Sequence, residues 1–311
     1  MSQNKEDKVQ VKLSEIHKKE VYTAWRFALP AILLLALFLL IPFIVAFVLS
    51  FTNKRLITNP NLPTQFIGFR NYLRLLNDFE FLQALKNNFY FSIIVVPLQT
   101  FFALLLAILV NQKLRFIHLF RTIYFSPVVT TMVVVAIIWY FLYNPGEGFI
   151  NQVLQVISFG KLGPYRWLND TTLAMPAIMV LSIWQGVGFQ MIIYLAGLQS
   201  IPEELYEASH VDGANHWQQF FYITIPQLRN TTIFVVISTT ILAFKLFTQV
   251  WVMTRGGPQG ATRTAIVYLY EQGFQRLRVG YASTIAVLFF LIVLCISLLQ
   301  RVYLKEERAV Q

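Results

Sequence analysis

Residues 207–226 have the sequence EASHVDGANHWQQFFYITIP and lie between two long apolar segments. Gly213 is suited to the left-handed conformation that ends many helices, and Asn215 is a residue type that caps the start of the next one. Apolar residues recur at helical spacing on both sides of the glycine. The stretch therefore predicts two short amphipathic helices joined at Gly213.

The segment before this stretch, Ile201-Pro202-Glu203-Glu204, is a good helix start because proline and acidic residues suit the first turn. Pro226 is expected to end the second helix before the next apolar segment. The chain has no Lys or Arg between residues 201 and 228. Helices that lie on a negatively charged lipid surface are usually basic, so docking into a groove of a soluble protein is favoured.

The composition indicates a protein that folds in lipid. Of 311 residues, 56% are hydrophobic and 13% are charged, about half the usual charged share. Six apolar runs each reach the length of about 20 residues that a membrane-spanning helix needs, and no barrel-type alternation occurs. The predicted fold is an all-α integral membrane protein with six transmembrane helices and a cytoplasmic helix pair between the fourth and fifth. The runs cover residues 29–51, 89–110, 122–143, 171–201, 230–254 and 279–300, and the intervening fourth-to-fifth loop covers residues 202–229.

One membrane domain, residues 27–303, is predicted between two cytoplasmic tails, residues 1–26 and 304–311. The first apolar run is too long for a signal peptide. With the N-terminus inside, cytoplasmic segments carry thirteen Lys and Arg and outer loops carry eleven. The basic N-terminal tail and the basic cluster between Lys113 and Arg121 favour this orientation. The net charge of +10 reflects bases that flank the spans, so no nucleic-acid partner is expected.

Three outer loops follow from this topology. In the first, Pro60 and Pro63 predict irregular chain, followed by a surface helix near residues 70–85. The second, residues 144–170, is rich in glycine and is expected to be irregular. The third begins with a sharp turn at Arg255-Gly-Gly-Pro-Gln-Gly260.

No catalytic or metal site is predicted, and the chain is not expected to be an enzyme. The single cysteine, Cys295, excludes an intrachain disulfide. Acids and histidines cluster near Glu207 and His216, but without the ligand spacing of a zinc site. The phosphate-binding pattern G-x-x-x-x-G-K-[ST] is absent, so this chain lacks the usual means of binding ATP.

Polar residues within the spans are candidates for a substrate pathway. The fourth run contains Gln185 and Gln190, followed by Tyr194. Amides in a membrane usually face the interior of the helix bundle. Two alternatives stay open here, contact with substrate and hydrogen bonds between packed helices. Gly186 and Gly188 either loosen this helix or let a neighbour approach closely.

Lys245 is the only charged residue within the six runs. A lysine at this depth needs a partner or a water-lined path. It either lines the pathway, extends to the membrane surface, or pairs with an acid on a partner subunit. The hypothesis is that Lys245 or Gln185 lines the pathway.

The central stretch resembles the permease subunits of bacterial ABC importers. That family carries the pattern E-A-A, three residues, G, nine residues, I, one residue, L-P in its last large cytoplasmic loop. This chain has serine for the third-position alanine and isoleucine for leucine. The positions that the resemblance assigns to ATPase coupling are Glu207, Ala208, Ser209, Asp212, Gly213, Ala214, Ile223, Ile225 and Pro226.

Further motifs are similar to the carbohydrate branch of the family, the maltose and glycerol-phosphate type permeases. They are Phe66-x-Gly68-x-x-Asn71-Tyr72, Arg121-x-x-x-Phe125-x-Pro127, Gly256-Gly257-Pro258 with Thr262 or Thr264, and Gly280-Tyr281-Ala282. Together the matching motifs span about residues 30–300.

The resemblance implies a set of partners. A dimer of cytoplasmic ABC ATPases would bind ATP and Mg and receive the helix pair as coupling helices. A second, homologous permease would complete the pore, an extracytoplasmic solute-binding protein would deliver a carbohydrate, and the location would be the bacterial cytoplasmic (inner) membrane. The rival reading is an ion-coupled secondary carrier, which would be expected to have acidic residues within its spans or broken helices in corresponding halves. No Asp or Glu occurs in the six runs.

Overall fold

The computed structural model describes residues 20–57, 63–112 and 116–304. These residues form helices and connecting loops, with one isolated bridge between Thr52 and Phe66. The outermost parts of both predicted tails lie outside the described residues, as do Pro60 and the bases Lys113 and Arg115.

The helices are named here in chain order. They are α1 (Glu20–Ser50), α2 (Arg70–Leu76), α3 (Phe79–Asn111), α4 (Ile117–Val129), α5 (Met132–Leu142), α6 (Phe149–Ile157), α7 (Ala174–Gln199), α8 (Glu203–Val211), α9 (His216–Gln219), α10 (Arg229–Phe244), α11 (Thr248–Met253), α12 (Ala265–Tyr270) and α13 (Val279–Leu304). Wider π turns occur at Ala36–Leu40, Phe220–Thr224 and Glu271–Gln275.

Five stretches among the described residues are long and apolar enough to cross a membrane: α1, α3, α7, residues 229–253 and α13. A sixth span is obtained if α4 and α5 are counted together, although they are bent by 97° at Thr130 and Thr131. Pro127 lacks an amide donor and the β-branched residues that follow it lower helix propensity. The third predicted run is thus a bent pair and not a straight helix.

The fifth span is interrupted at Lys245, where the sequence predicts a continuous run over residues 230–254. Helix α10 ends at Phe244, and α11 begins at Thr248. Side chains from other elements bind the carbonyl groups that the break exposes: Asn88 donates to the Phe244 carbonyl at 3.0 Å, and Thr264 donates to that of Leu246 at 2.8 Å. A buried backbone group without a partner would be costly, so these contacts stabilise the break.

The helix ends gather at two opposite ends of the molecule. At one end, which we call the hairpin end, α8 and α9 approach the last residues of α3, and Arg229 donates to the carbonyl of Leu304 at 3.4 Å. At the opposite end, the end of α1 meets the start of α13, where the amide of Gly280 donates to Lys54 at 2.9 Å. Asn87 of α3 donates there to the carbonyls of Gly260 and Arg263.

The core is built around the long contact between α3 and α7. Small residues of α3, Ala103 and Ala107, pack against Met191 and Tyr194 of α7. Gly188 faces the backbone of α4, and a Cβ there would overlap the Tyr124 carbonyl oxygen. Such close approach between small residues is typical of helix packing in membranes. The sequence left two roles open for the glycines of α7, a loosened helix or close approach of a neighbour. The structure shows close approach of a neighbouring helix at Gly188.

The loops at the opposite end are more ordered than the sequence predicts. The expected helix over residues 70–85 is divided, because Asp78 accepts hydrogen bonds from the amides of Glu80 and Phe81 and so caps a new helix, α3. The second loop contains the amphipathic helix α6. The third loop turns sharply at Gly256, as predicted, but then packs inward as α12, whose Tyr268 is 1% exposed.

Candidate functional site

The predicted helix pair is present as α8 and α9 with the turn between them, and we call residues 203–227 the hairpin. Gly213 has a φ of +76°, the left-handed conformation expected of it. Its amide donates to the His210 carbonyl at 3.1 Å, and the amide of Ala214 donates to Ser209 at 2.9 Å. These two bonds form the glycine-dependent helix ending known as a Schellman motif. Asn215 then caps α9 through reciprocal hydrogen bonds with Gln218.

Pro226 does not end the second helix. After α9 the chain continues through the π turn and the helical turn Ile225–Gln227 and deviates only at Leu228, directly before α10. Proline fits near the start of a new helical turn because the amide it lacks is unpaired there anyway. The hairpin is therefore nearly continuous with the fifth span.

Three polar side chains that sequence reasoning missed hold the two arms of the hairpin together. Gln219 donates to the Ser209 hydroxyl at 2.9 Å, and the hydroxyls of Tyr206 and Thr224 are 2.9 Å apart. Gln219 and Thr224 are buried. Their spacing gave no signal, because the pairing of the arms depends on the geometry of the turn.

The rest of the hairpin surface is open. Glu207, Ala208, Asp212, Gly213, Ile225 and Pro226 are exposed, and Ser209, Ala214 and Ile223 are partly buried. Large apolar side chains are exposed beside them: Val211 at 89%, Trp217 at 73% and Tyr222 at 80%. A shallow cavity of about 300 Å³ lies at the turn and is lined by Ser209, Asp212, Gly213, Ala214, Gln218, Gln219, Tyr222 and Ile223. An exposed apolar surface with acidic neighbours is typical of a protein-docking site.

The acids and histidines of the hairpin do not assemble into a metal site. Among the described residues, no group of three or more His, Cys, Asp or Glu side chains is placed to hold a metal ion. The rings of His210 and His216 meet edge to face, with their centroids 6.2 Å apart.

A cavity of about 230 Å³, lined by both polar and apolar side chains, lies within the membrane domain, between α3, α7 and the break in the fifth span. It contains both residues of the pathway hypothesis, Gln185 and Lys245. The other polar side chains that line it are Gln99, Ser182, Thr239 and Gln249. Gln99, a residue that the sequence analysis passed over, occupies the space that a side chain at Gly186 would take.

Lys245 is exposed at this cavity, and among the described residues its ammonium group has no hydrogen bond or ion pair. The Gln185 amide donates to the carbonyl of Pro127 at 3.5 Å, a long contact that leaves it available for other partners. The break in the fifth span thus places a cation beside amide and hydroxyl groups.

Gln190 and Tyr194 lie elsewhere. Both are buried, and Gln190 donates to the hydroxyl of Thr239, a residue whose other side faces the cavity. Tyr194 packs in the apolar cluster near the hairpin end, together with Leu195 and Leu198. Neither side chain lines the cavity. Both lie between packed helices, which is the second of the two alternatives left open by the sequence. Direct contact with substrate at these two positions stays a prediction.

A charged network lies at the opposite end, outside the spans. The Asp78 carboxylate accepts from the hydroxyls of Tyr268 at 2.6 Å and Tyr281 at 2.5 Å. Burial opposes the charge of Asp78, but the hydrogen bonds it accepts outweigh burial and lower its pKa. Burial raises the pKa of Glu271, against the attraction of Arg263 at 3.4 Å.

The fold and these sites define a multi-pass helical membrane protein with an interior polar cavity and an exposed helical hairpin at one end. Residues 88–308 match the family described as binding-protein-dependent transport system inner membrane component. The chain belongs to this family of ABC transporter permeases, and the resemblance seen in the sequence is confirmed.

Several relatives match most of the chain. A probable ABC transporter permease of Bacillus subtilis is 40% identical over 78% of this chain and 84% of its own length. The lactose transport system permease of Rhizobium radiobacter is 36% identical over 91% and 94%. The trehalose/maltose transport system permease of Thermococcus litoralis is 32% identical over 95% and 97%. The fold is shared with a crystal structure of a bacterial alginate ABC transporter, with a TM-score of 0.80, 24% identity, and 92% and 95% of the two chains covered.

Proposed function

We propose that this chain is one of two membrane subunits of an ATP-driven importer for a sugar or oligosaccharide. Its hairpin couples to a separate ATPase, and its membrane cavity forms one side of the substrate path. The observation that carries this proposal is the pairing of an exposed docking hairpin with a polar cavity in a chain of the permease family.

The hairpin suits a cleft on a soluble ATPase dimer. Val211, Trp217 and Tyr222 supply apolar anchors of the kind that dominate binding energy, and the acids of α8 can meet basic residues at the rim. ATP and Mg are bound by that partner. In this arrangement both chain termini and the hairpin are cytoplasmic, and the location is the inner membrane.

A second permease follows from the cavity. A lysine exposed at membrane depth costs about 2.5–3.5 kcal/mol on insertion scales if it faces lipid. Lys245 is exposed in this chain, so a neighbouring membrane subunit is needed to close the cavity around it. The enclosed space would then be polar on at least one side, as a hydrated solute requires.

Saccharides fit the donors and acceptors present. Gln99, Gln185 and Gln249 offer amides that both donate to and accept from hydroxyl groups. Relatives named for lactose and for trehalose/maltose transport support the same substrate class. A solute-binding protein would deliver the sugar to the opposite end. An ion-coupled carrier is less consistent with this chain, because no acid lies in its predicted spans.

The test is transport by the chain reconstituted in lipid with its ATPase, second permease and binding protein. ATP hydrolysis that requires the whole complex and rises with loaded binding protein supports an importer. If uptake of labelled disaccharides instead persists without ATP and stops when the proton gradient is removed, the importer proposal is wrong and the chain is an ion-coupled carrier.

The same system tests the cavity. The double variant Gln185→Ala with Lys245→Ala should change the uptake rate or the substrate preference. Ser238→Ala, in the fifth span outside the cavity, should change neither.

A further inference from the structure

A pocket at the end opposite the hairpin is surrounded by positive charge. It has a volume of about 220 Å³ and is lined by Asn53, Lys54, Arg55, Asn71, Arg74, Arg278 and Tyr281. Four of these seven side chains are basic and none is acidic. The pocket does not touch the membrane cavity or the hairpin.

Few acids lie near this charge in the sequence. The chain has no Asp or Glu from residue 21 to residue 77. Among the described residues, Asp78 lies beside the pocket, where it accepts from Tyr281 of the pocket wall and from Tyr268. Glu80 and Glu271 pair with Arg263 and Arg276, which lie outside the pocket. No described acid forms an ion pair with the four basic residues of the pocket.

The basic side chains stand on a fixed framework. Asn71 donates to the carbonyls of Ser50 and Thr52 at 3.0 and 2.9 Å, which ties α2 to the end of α1. A Cβ at Gly280 would overlap the Thr52 carbonyl oxygen, so only glycine lets α13 come this close. The Arg74 guanidinium lies over the Tyr281 ring, 5.0 Å from its centroid. A framework of this kind reduces the entropy lost on binding an anion.

The pocket also lies beside an exposed apolar strip of α1, a candidate membrane span. It lies where α1 ends and α13 begins, and the adjacent face of α1 is exposed and apolar, with Ile44, Phe47 and Val48 each at least 45% exposed. Phe43 packs on Phe290 of α13 with ring centroids 5.1 Å apart, so α1 and α13 are in contact beside this strip as well as at the pocket. Acyl chains on the strip would place their headgroups beside the four cations.

We propose that the pocket binds the phosphate of an anionic lipid headgroup. Arginine forks match phosphate oxygens with paired hydrogen bonds, and lysine adds a point charge. The exposed apolar strip of α1 beside the pocket favours a lipid over a free anion, because only a lipid has acyl chains that can contact it. The proposal requires only that the chain lies in a membrane, and it does not depend on the transport direction or substrate.

The test uses the purified, delipidated full chain in neutral detergent and follows its Tm during titration with phosphatidylglycerol, phosphatidylcholine or inorganic phosphate. We expect phosphatidylglycerol to raise Tm at concentrations at which the other two do not. The double variant Arg74→Gln with Arg278→Gln should need about tenfold more phosphatidylglycerol or fail to respond, because two charge-assisted bonds are lost. Because this variant also loses the Tyr281 contact, the lipid-induced change in Tm is compared and not the starting value.

The matched control is Arg70→Gln with Arg166→Gln, which removes the same charge at the same end but outside the pocket. It should titrate like the unaltered chain. An equal response to inorganic phosphate would overturn the assignment to a lipid. If the pocket variant and the control titrate alike, the pocket is not the lipid site and its charge serves another partner, such as an acidic protein surface.

Discussion

Gly213 determines the angle between the two arms of the hairpin through its backbone alone, because a Cβ at this position would meet nothing within 4 Å. We predict that Gly213→Val costs about 1–3 kcal/mol locally, since a β-branched residue at φ +76° is strained. ATPase assembly and transport should fall, while membrane insertion survives. Gly213→Asn is the matched control, because asparagine tolerates this conformation. Equal loss in both variants, measured by co-purification of the ATPase, would contradict the backbone argument.

The carboxylate of Asp78 links α3, α12 and α13, because it accepts from the amides of Glu80 and Phe81 and from the hydroxyls of Tyr268 and Tyr281. Its pKa is lowered from 3.8, so its contribution to stability is complete above about pH 3.8 and disappears as the pH falls through the folded-state pKa. Glu271 affects stability in the opposite direction. Its pKa is raised in the folded state, so its contribution to the stability of the folded state increases as the pH decreases. We predict that Asp78→Asn is less stable than the parent at pH 7 and that the difference shrinks toward pH 3. Thermal unfolding in detergent across this range measures it, and a constant difference would contradict the prediction.

At the scale of elements, two glycines of α7 differ in what they face. Gly188 meets the backbone of α4, whereas Gly186 meets the movable end of the Gln99 side chain. We predict that Gly188→Ala costs about 1–3 kcal/mol, because rigid backbones must separate. Gly186→Ala should leave the Tm nearly unchanged but displace Gln99 within the cavity and alter uptake. Thermal unfolding and transport assays together separate these effects, and equal Tm losses would contradict the distinction.

The side-chain amide of Asn88 is one of the two groups that stabilise the break in the fifth span. Asn88 is fully buried, donates to the Phe244 carbonyl and accepts from the amide of Ala265 at 2.8 Å. Asn88→Ala leaves two buried backbone groups unpaired, and we predict a loss of about 2–4 kcal/mol. Asn77→Ala, which removes one exposed bond to Leu73, should lie within about 0.5 kcal/mol of the parent. Chemical unfolding of the three proteins checks the contrast.

Elements defined by local rules were predictable from the sequence, and elements defined by packing were not. Gly213 and Asn215 each act within a few residues, so the hairpin turn could be inferred. Gln99 and Lys245 line the same cavity although they are far apart in the sequence, and no local sequence pattern predicts that they lie close together in space. The burial of α12 was missed for the same reason, because a loop composition gives no sign of the surface it packs against.

At the scale of the whole molecule, Lys245 is exposed in the isolated chain, and the proposed second permease would cover it. Without that subunit, an ammonium group at membrane depth is costly wherever it meets lipid or detergent. We predict that Lys245→Met raises the Tm of the isolated chain or leaves it unchanged, yet reduces transport in the assembled complex. A clear fall in the Tm of the isolated variant would show instead that the ammonium group is stabilised within this chain.

The near continuity of the hairpin with α10 has a mechanical consequence. Helix α10 has 16 residues, so it is about 24 Å long. If the hairpin couples to an ATPase as proposed, α10 would act as a lever between the hairpin and the cavity. A tilt of about 10° at the hairpin would displace the Phe244 end by roughly 4 Å for a rigid rod of that length. The interruption at Lys245 would confine this displacement to the near half of the fifth span, while the far half, α11, stays packed against α5 as the cavity changes width.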